Sequence, residues 1–192
     1  MATRGIYLIG FSGAGKSTIA QILGTLLGWP VYDVDQLIVV QSGRSIADIF
    51  QHEGEAGFRL RETEALRSLP TNTVFIVTTG GGLPLRIENR RIMAQNGWVF
   101  ALEARPETLH TRMEHQLQNA DPAAIRPLLD AADPLEQIRA LKHHRQSVYA
   151  LADWTVHTDR LSSQQVAAEI VRAVELLATT ADPLAAFDVP TR

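Results

Sequence analysis

The sequence has no cysteine, which excludes a disulfide framework, thiolate metal sites and cysteine nucleophiles together. Lysine is nearly as scarce: of 18 basic residues only Lys16 and Lys142 are lysine, and the rest are arginine. There is no excess of positive charge either. A formal net charge of −3 offers no general surface for nucleic acid or an anionic membrane. No apolar run approaches the roughly 20 residues that a membrane-spanning helix needs. The chain also enters an apolar strand at Gly5 without the layout of a secretory signal. These absences lead to the expectation of a cytoplasmic protein with no nucleic-acid or membrane partner, a monomer by default. What remains is an ordinary globular composition, 45% apolar and 20% charged over 192 residues, enough for one domain but not comfortably two.

Short apolar runs alternate with helical periodicity. Gly5–Gly10, Val31–Val34, Val74–Val77, Trp98–Leu102 and Trp154–His157 read as strands. Helices are expected from Lys16 to Leu27, with Gly28 and Pro30 ending the run, and from Ser45 to about Leu69 with a break near Gly54. Further helices are expected over Arg86–Asn96, Pro106 to about Gln118, Leu135 to about Leu151, and Ser162–Ala178. Asn119–Pro134 carries Pro122, Pro127 and Pro134 and reads as a mobile loop. This alternation implies βαβ units and a parallel sheet covered on both faces. No internal repeat is visible, and the last dozen residues read as a loose tail.

Gly10-Phe-Ser-Gly-Ala-Gly-Lys-Ser-Thr18 matches G-x-x-x-x-G-K-[ST] between an expected strand and an expected helix. Gly13 and Gly15 let backbone N–H groups turn around a phosphate without a Cβ in the way. The helix N-terminus adds its unpaired donors and dipole. Lys16, one of only two lysines, supplies a point charge to the outer phosphates, and the Ser17 hydroxyl is placed to ligate Mg²⁺. Gly13, Ala14, Gly15, Lys16, Ser17 and Thr18 are therefore the expected ATP-binding run. No Asn-Lys-x-Asp guanine-recognition run is present, which argues against a GTPase. Gly80-Gly81-Gly82 follows an apolar strand at the sheet's carboxyl edge, where ligands of open α/β folds bind. Three consecutive glycines allow a ring to approach the backbone closely and offer N–H donors. Asp33 and Asp35 sit one apart at a strand end, so both can reach a site only where strand gives way to loop; either could instead cap a helix starting near Gln36.

Several separated motifs then occur in order: the P-loop; Asp33-Val-Asp35; Ile46-Ala-Asp-Ile-Phe50 with Gly54-Glu55 and Phe58-Arg59-x-x-Glu62; Gly80–Gly82; Arg126-Pro-Leu-Leu129; and Arg145 followed by Tyr149 and Ala152-Asp153. From about Gly5 to Ala173 the chain resembles the shikimate kinases, within the nucleoside-monophosphate-kinase-like group of P-loop proteins. The resemblance implies a three-layer α/β P-loop fold with a central parallel sheet of about five strands and a mobile lid. Residues 1–178 would form one kinase domain, with the lid at about 113–134 and a tail over 179–192.

It further implies transfer of the ATP γ-phosphoryl to a hydroxyl of shikimate, with Mg²⁺. Asp35 would bind the substrate hydroxyls as orienter and base, and Asp33 would hold a water of the Mg²⁺ shell. Arg59 and Arg145 would clamp the substrate carboxylate, a task suited to arginine's planar fork. Arg126 would reach the transferring phosphoryl from the lid, and Arg112 would stack on adenine. With Lys16 and Asp35, Arg126 completes the catalytic set, while Gly80, Gly81 and Gly82 line the substrate.

The pattern departs from the family in two places. The lid between Arg112 and Arg126 is several residues longer than in compact members, and no apolar run ends in a Walker-B aspartate; Phe75-Ile-Val-Thr78 ends in hydroxyl residues instead. Two alternatives stay open: another polyol acid such as quinate or gluconate, or a silent nucleotide-binding regulator. The six histidines show no metal-ligand spacing and read as surface or core residues.

Overall fold

The computed structural model describes residues 5–118 and 132–181. Five strands form one sheet in the order β2-β3-β1-β4-β5: β1 (Gly5–Gly10), β2 (Val31–Asp33), β3 (Ile76–Thr78), β4 (Gly97–Glu103) and β5 (Trp154–His157). Every pairing is parallel, with Ile6 opposite Ile76 and Tyr7 opposite Val99 on the two flanks of β1. Consecutive residues of a strand point to opposite faces, yet Ile6, Tyr7, Leu8 and Ile9 are all buried. Both faces of the sheet are therefore covered, and this is why the central strand reads as a continuous apolar run.

The helices are α1 (Lys16–Leu27), α2 (Val34–Ser42), α3 (Ile46–Arg67), α4 (Ile87–Asn96), α5 (Pro106–Gln118), α6 (Pro134–Tyr149) and α7 (Ser163–Ala181), with a 3₁₀ turn at Leu83–Leu85. α1 packs against α7, α4 against α3 and β4, and α5 against α6. Packing and capping explain most boundaries. Gly28 ends α1 in the left-handed conformation at φ 67°, the usual glycine C-terminus. Asp133 accepts from the Glu136 N–H at 3.0 Å and Pro134 takes the first helical position, so α6 opens one residue before the expected start. α3 carries its expected break at Gly54, whose φ of 65° and ψ of −174° lie in a region essentially closed to other residues.

The sequence reading needs three small corrections, at β3, β2 and α7. β3 begins at Ile76 instead of Val74, although the Phe75 carbonyl still accepts from Ile6 N–H at 2.8 Å and the Phe75 ring packs edge-on against Tyr7. β2 stops at Asp33 because α2 begins at Val34, with the Asp33 side chain accepting from Gln36 N–H at 3.2 Å. α7 runs on to Ala181, three residues past the expected helix end at Ala178. α5 remains helical to Gln118; the rest of the expected lid before residue 132, Arg126 included, lies outside the described residues.

Candidate active site

The strand–turn–helix unit at β1 and α1 forms the cradle that the glycines predict. Gly13 and Gly15 both have positive φ, 79° and 95°. A Cβ at Gly13 would lie 3.1 Å from the Leu109 carbonyl oxygen and from Met113 Cγ, so the loop is pressed against α5 and has no room for a side chain there. The Lys16 ammonium donates to the carbonyls of Gly10 and Phe11, both at 2.9 Å. Burial pulls its pKa down to about 8, against the opposing pull of Asp35 and Asp33 and with a smaller push from Arg145. Such an ammonium gains a strong partner when phosphate arrives.

A cavity of about 480 Å³ opens above this loop at the carboxyl ends of the strands. Gly13, Gly15, Lys16, Ser17 and Thr18 bound it on one side, and Asp33, Asp35, Gly80 and Gly81 on the other. The parallel order brings these together, because β2, β3 and β1 are neighbours and all end at the same edge. Neighbouring strands also join Asp33 to Thr78, whose hydroxyl donates to Asp33 Oδ2 at 2.7 Å. With Oδ1 capping α2, Asp33 has both oxygens engaged. Asp35 stands one residue further, in the first turn of α2. Its Oδ1 is fully buried with no hydrogen-bond donor. Burial first, then the Asp33 charge, holds its carboxyl above the usual carboxylate range, opposed by Lys16 and Arg59.

The three glycines lie against the site's charges one by one. A Cβ at Gly80 would stand 3.3 Å from Glu62 Oε1 and 3.4 Å from Asp35 Oδ1. At Gly81 it would meet Arg145 Nη1 at 3.0 Å, and at Gly82 the Arg59 Nη2 at 2.5 Å. None of the three has a positive φ. Close approach of side chains, and no turn conformation, is what demands glycine here.

Arg145 projects from α6 with its guanidinium carbon 5.5 Å from the centre of the Phe11 ring, and its Nε is buried without an acceptor. One turn on, Tyr149 donates to the Gly81 carbonyl at 2.7 Å. Arg59, past the Gly54 break on α3, gives its Nη1 to both oxygens of fully buried Glu62 (3.0 and 2.9 Å). Its Nε and Nη2 go to Glu55 Oε1 (3.3 and 3.0 Å). Burial raises the Glu62 carboxyl, although Arg59 pulls it back.

Across the P-loop a second cavity, about 290 Å³, is bounded by Ala14, Arg112, His115, Thr158 and Val166, and shares Gly13, Gly15 and Thr18 with the first. Arg112 is held in place by Thr158, donating to its hydroxyl at 2.9 Å and its carbonyl at 2.8 Å. His115 thus sits beside the nucleotide end of the loop, at i,i+3 from Arg112, where the sequence reading made it a background residue. No group of three histidine, aspartate or glutamate side chains that could hold a metal occurs among the described residues.

Sequence reasoning assigned no role to Glu55, Glu62, Thr78, Tyr149 or Thr158. For Glu55, Glu62 and Tyr149 the signal existed, since each lies three or four positions from Arg59 or Arg145 on one helix. Thr78 and Thr158 carried no local signal. Their partners come from other elements.

A family model described as "Shikimate kinase" matches residues 12–175. The shikimate kinase of Symbiobacterium thermophilum is 41% identical over 171 residues, 88% of this chain and 95% of that one. That of Rhodopirellula baltica is 36% identical, over 88% and 89%. Among solved structures, the shikimate kinase from Acinetobacter baumannii in complex with shikimate superposes with a TM-score of 0.79 at 34% identity, covering 90% of this chain and 93% of that one. The enzyme from Aquifex aeolicus gives 0.72 at 34% identity, covering 91% and 98%.

Proposed function

The chain belongs to the shikimate kinase family, and we propose from that premise how its own residues carry out the transfer. It is an ATP-dependent phosphotransferase whose acceptor is a shikimate hydroxyl and whose product is shikimate 3-phosphate. One observation carries the assignment of the site: among the described residues, two side chains that flank the triple glycine each hold a buried polar atom without a partner, an acceptor at Asp35 Oδ1 and a donor at Arg145 Nε. Buried polar atoms are ordinarily satisfied. A hydroxy acid supplies both missing partners at once, its hydroxyl donating to Asp35 and its carboxylate accepting from Arg145.

In the reaction the acceptor oxygen attacks the γ-phosphorus in line, the bond to the β-bridging oxygen breaks, and ADP leaves. The hydroxyl proton passes to Asp35 Oδ1. A carboxylate held above its usual range is a better base for that proton than an exposed one. Lys16 leaves the Gly10 and Phe11 carbonyls for the outer phosphates, and Arg126 offsets charge on the transferring group. Gly13 through Thr18 cradle the phosphates, Arg112 holds the base, and Arg59 and Arg145 fix the acid.

The donor set also fits magnesium. Ser17, on the cavity wall, would be a direct ligand, and Asp33, with both oxygens already engaged, would hold a metal-bound water. When bound, the metal would neutralise charge on the β- and γ-phosphoryl oxygens. One chain supplies every residue of this set, and we propose that it acts as a monomer. No described helix is long and apolar enough to cross a membrane, and we place the enzyme in the cytoplasm.

ADP release with Mg-ATP and shikimate, quinate or gluconate tests the reading. Turnover with shikimate in clear preference is expected. Turnover only with another acid would move the assignment within the polyol acids, and nucleotide binding without turnover would replace it with a regulatory role.

A further inference from the structure

Every nitrogen of the Arg59 guanidinium already donates to a glutamate before any acid arrives. Nη1 is shared by the two oxygens of Glu62, and Nε with Nη2 converge on Glu55 Oε1. A carboxylate that takes two of these nitrogens in parallel bonds competes with one of the two glutamates, and at the Nε/Nη2 edge it must displace Glu55. The two differ sharply in exposure. The Glu62 side chain has none of its surface exposed, while that of Glu55 is 70% exposed. Expelling Glu62 would strand a buried carboxylate, whereas Glu55 returns to water at little cost. Glu55 also offers only one oxygen, at 3.3 and 3.0 Å, the looser of the two contacts.

We propose that Glu55 is a built-in carboxylate surrogate that occupies the Nε/Nη2 edge of Arg59 in the empty enzyme and is exchanged for the substrate's carboxylate on binding. The inference rests on the functional reading above and adds to it a residue that competes with the substrate's carboxylate. An acid replaces one ion pair by another, so the exchange is nearly balanced. A neutral polyol has nothing to offer Arg59 in return and leaves Glu55 in place. Glu55 therefore lowers affinity for the acid slightly, leaves a neutral ligand unaffected, and keeps the Arg59 guanidinium paired while the site is empty. Its position favours such a role: it follows Gly54, where α3 breaks, and it stands one helical turn before Arg59.

The test compares acid and amide. Dissociation constants of the wild-type protein and of Glu55→Gln and Glu55→Ala are measured calorimetrically for shikimate and for its carboxamide, which keeps the ring and hydroxyls but not the charge. Because an exposed ion pair is weak, both variants are expected to bind shikimate about two- to five-fold more tightly, with affinity for the amide unchanged. A merely structural role for Glu55 would weaken both ligands in both variants. Unchanged or weaker shikimate binding in the variants, while the wild type phosphorylates shikimate, would overturn this inference alone. A wild type that phosphorylates no hydroxy acid would remove the functional reading and the inference with it.

Discussion

Replacing Gly82 with alanine adds one methyl group at the point where the backbone meets Arg59, half of the proposed substrate clamp. The backbone tolerates the change, because Gly82 has φ −91° and ψ −15°, an ordinary conformation for alanine. The new Cβ would nevertheless stand 2.5 Å from Arg59 Nη2 and 2.7 Å from its Cζ and Nη1. Ordinary contact begins at 3.4 Å, so the guanidinium must retreat by about 0.9 Å. Displacements of that size in a positioning group reduce rates by up to ~10²-fold. The expected result is a fall of about 10- to 100-fold in kcat/KM for shikimate, with ATP affinity within about two-fold of wild type. Stability has a ceiling set by the same contacts. If the retreat broke the Arg59–Glu62 pair altogether, a stranded buried carboxylate would cost about 3–5 kcal/mol; a strained but surviving pair costs less. Shikimate-dependent ADP release measures the first effect and urea denaturation the second. Wild-type kcat/KM for the acid would show that Arg59 does not touch the substrate, and the clamp would have to be abandoned.

Three further predictions follow from separate contacts. Asp35→Asn should abolish turnover while leaving ATP binding largely intact, seen by comparing ADP release with nucleotide titration; lost ATP binding would make Asp35 structural. Lys16, with a pKa of about 8 against an ordinary 10.5, binds fewer protons in the folded protein than in the unfolded chain between those values, so its destabilising burial is relieved as pH rises from about 8 to 10.5. ATP should restore the proton, and calorimetry at about pH 8.5 in buffers of different ionisation enthalpy should find proton uptake that Lys16→Met abolishes. Lys142→Ala should destabilise the fold by about 3–5 kcal/mol, since Glu103 is buried, accepts from Lys142 at 2.6 Å and has its other oxygen unpartnered; chemical denaturation of the variant within about 1 kcal/mol of wild type would contradict this.

What the sequence determined by itself was whatever depends on near neighbours. The P-loop was legible because its glycines, lysine and hydroxyls act within one turn between a strand and a helix. The break at Gly54 was legible because glycine frees φ where it stands, and the start of α6 was legible to within one residue, Leu135 being expected where Pro134 opens the helix. The apolar run of β1 gave away a strand buried on both faces. The family motifs likewise named Arg59, Arg145 and Asp35 as parts of a site. What the tertiary structure alone decided was how those parts meet. The order β2-β3-β1-β4-β5 puts Asp33 beside Thr78 and turns an ambiguous pair of aspartates into a committed helix cap and a carboxylate with a free oxygen. Packing of α3 and α6 around Gly80–Gly82 showed that the glycines exist to admit two guanidinium groups and two carboxylates. Packing also buried Glu62 and left Glu55 in water, although both sit within one turn of Arg59. Helical spacing states which side chains can touch, but burial, which sets the strength of a charge pair, is a property of the whole fold.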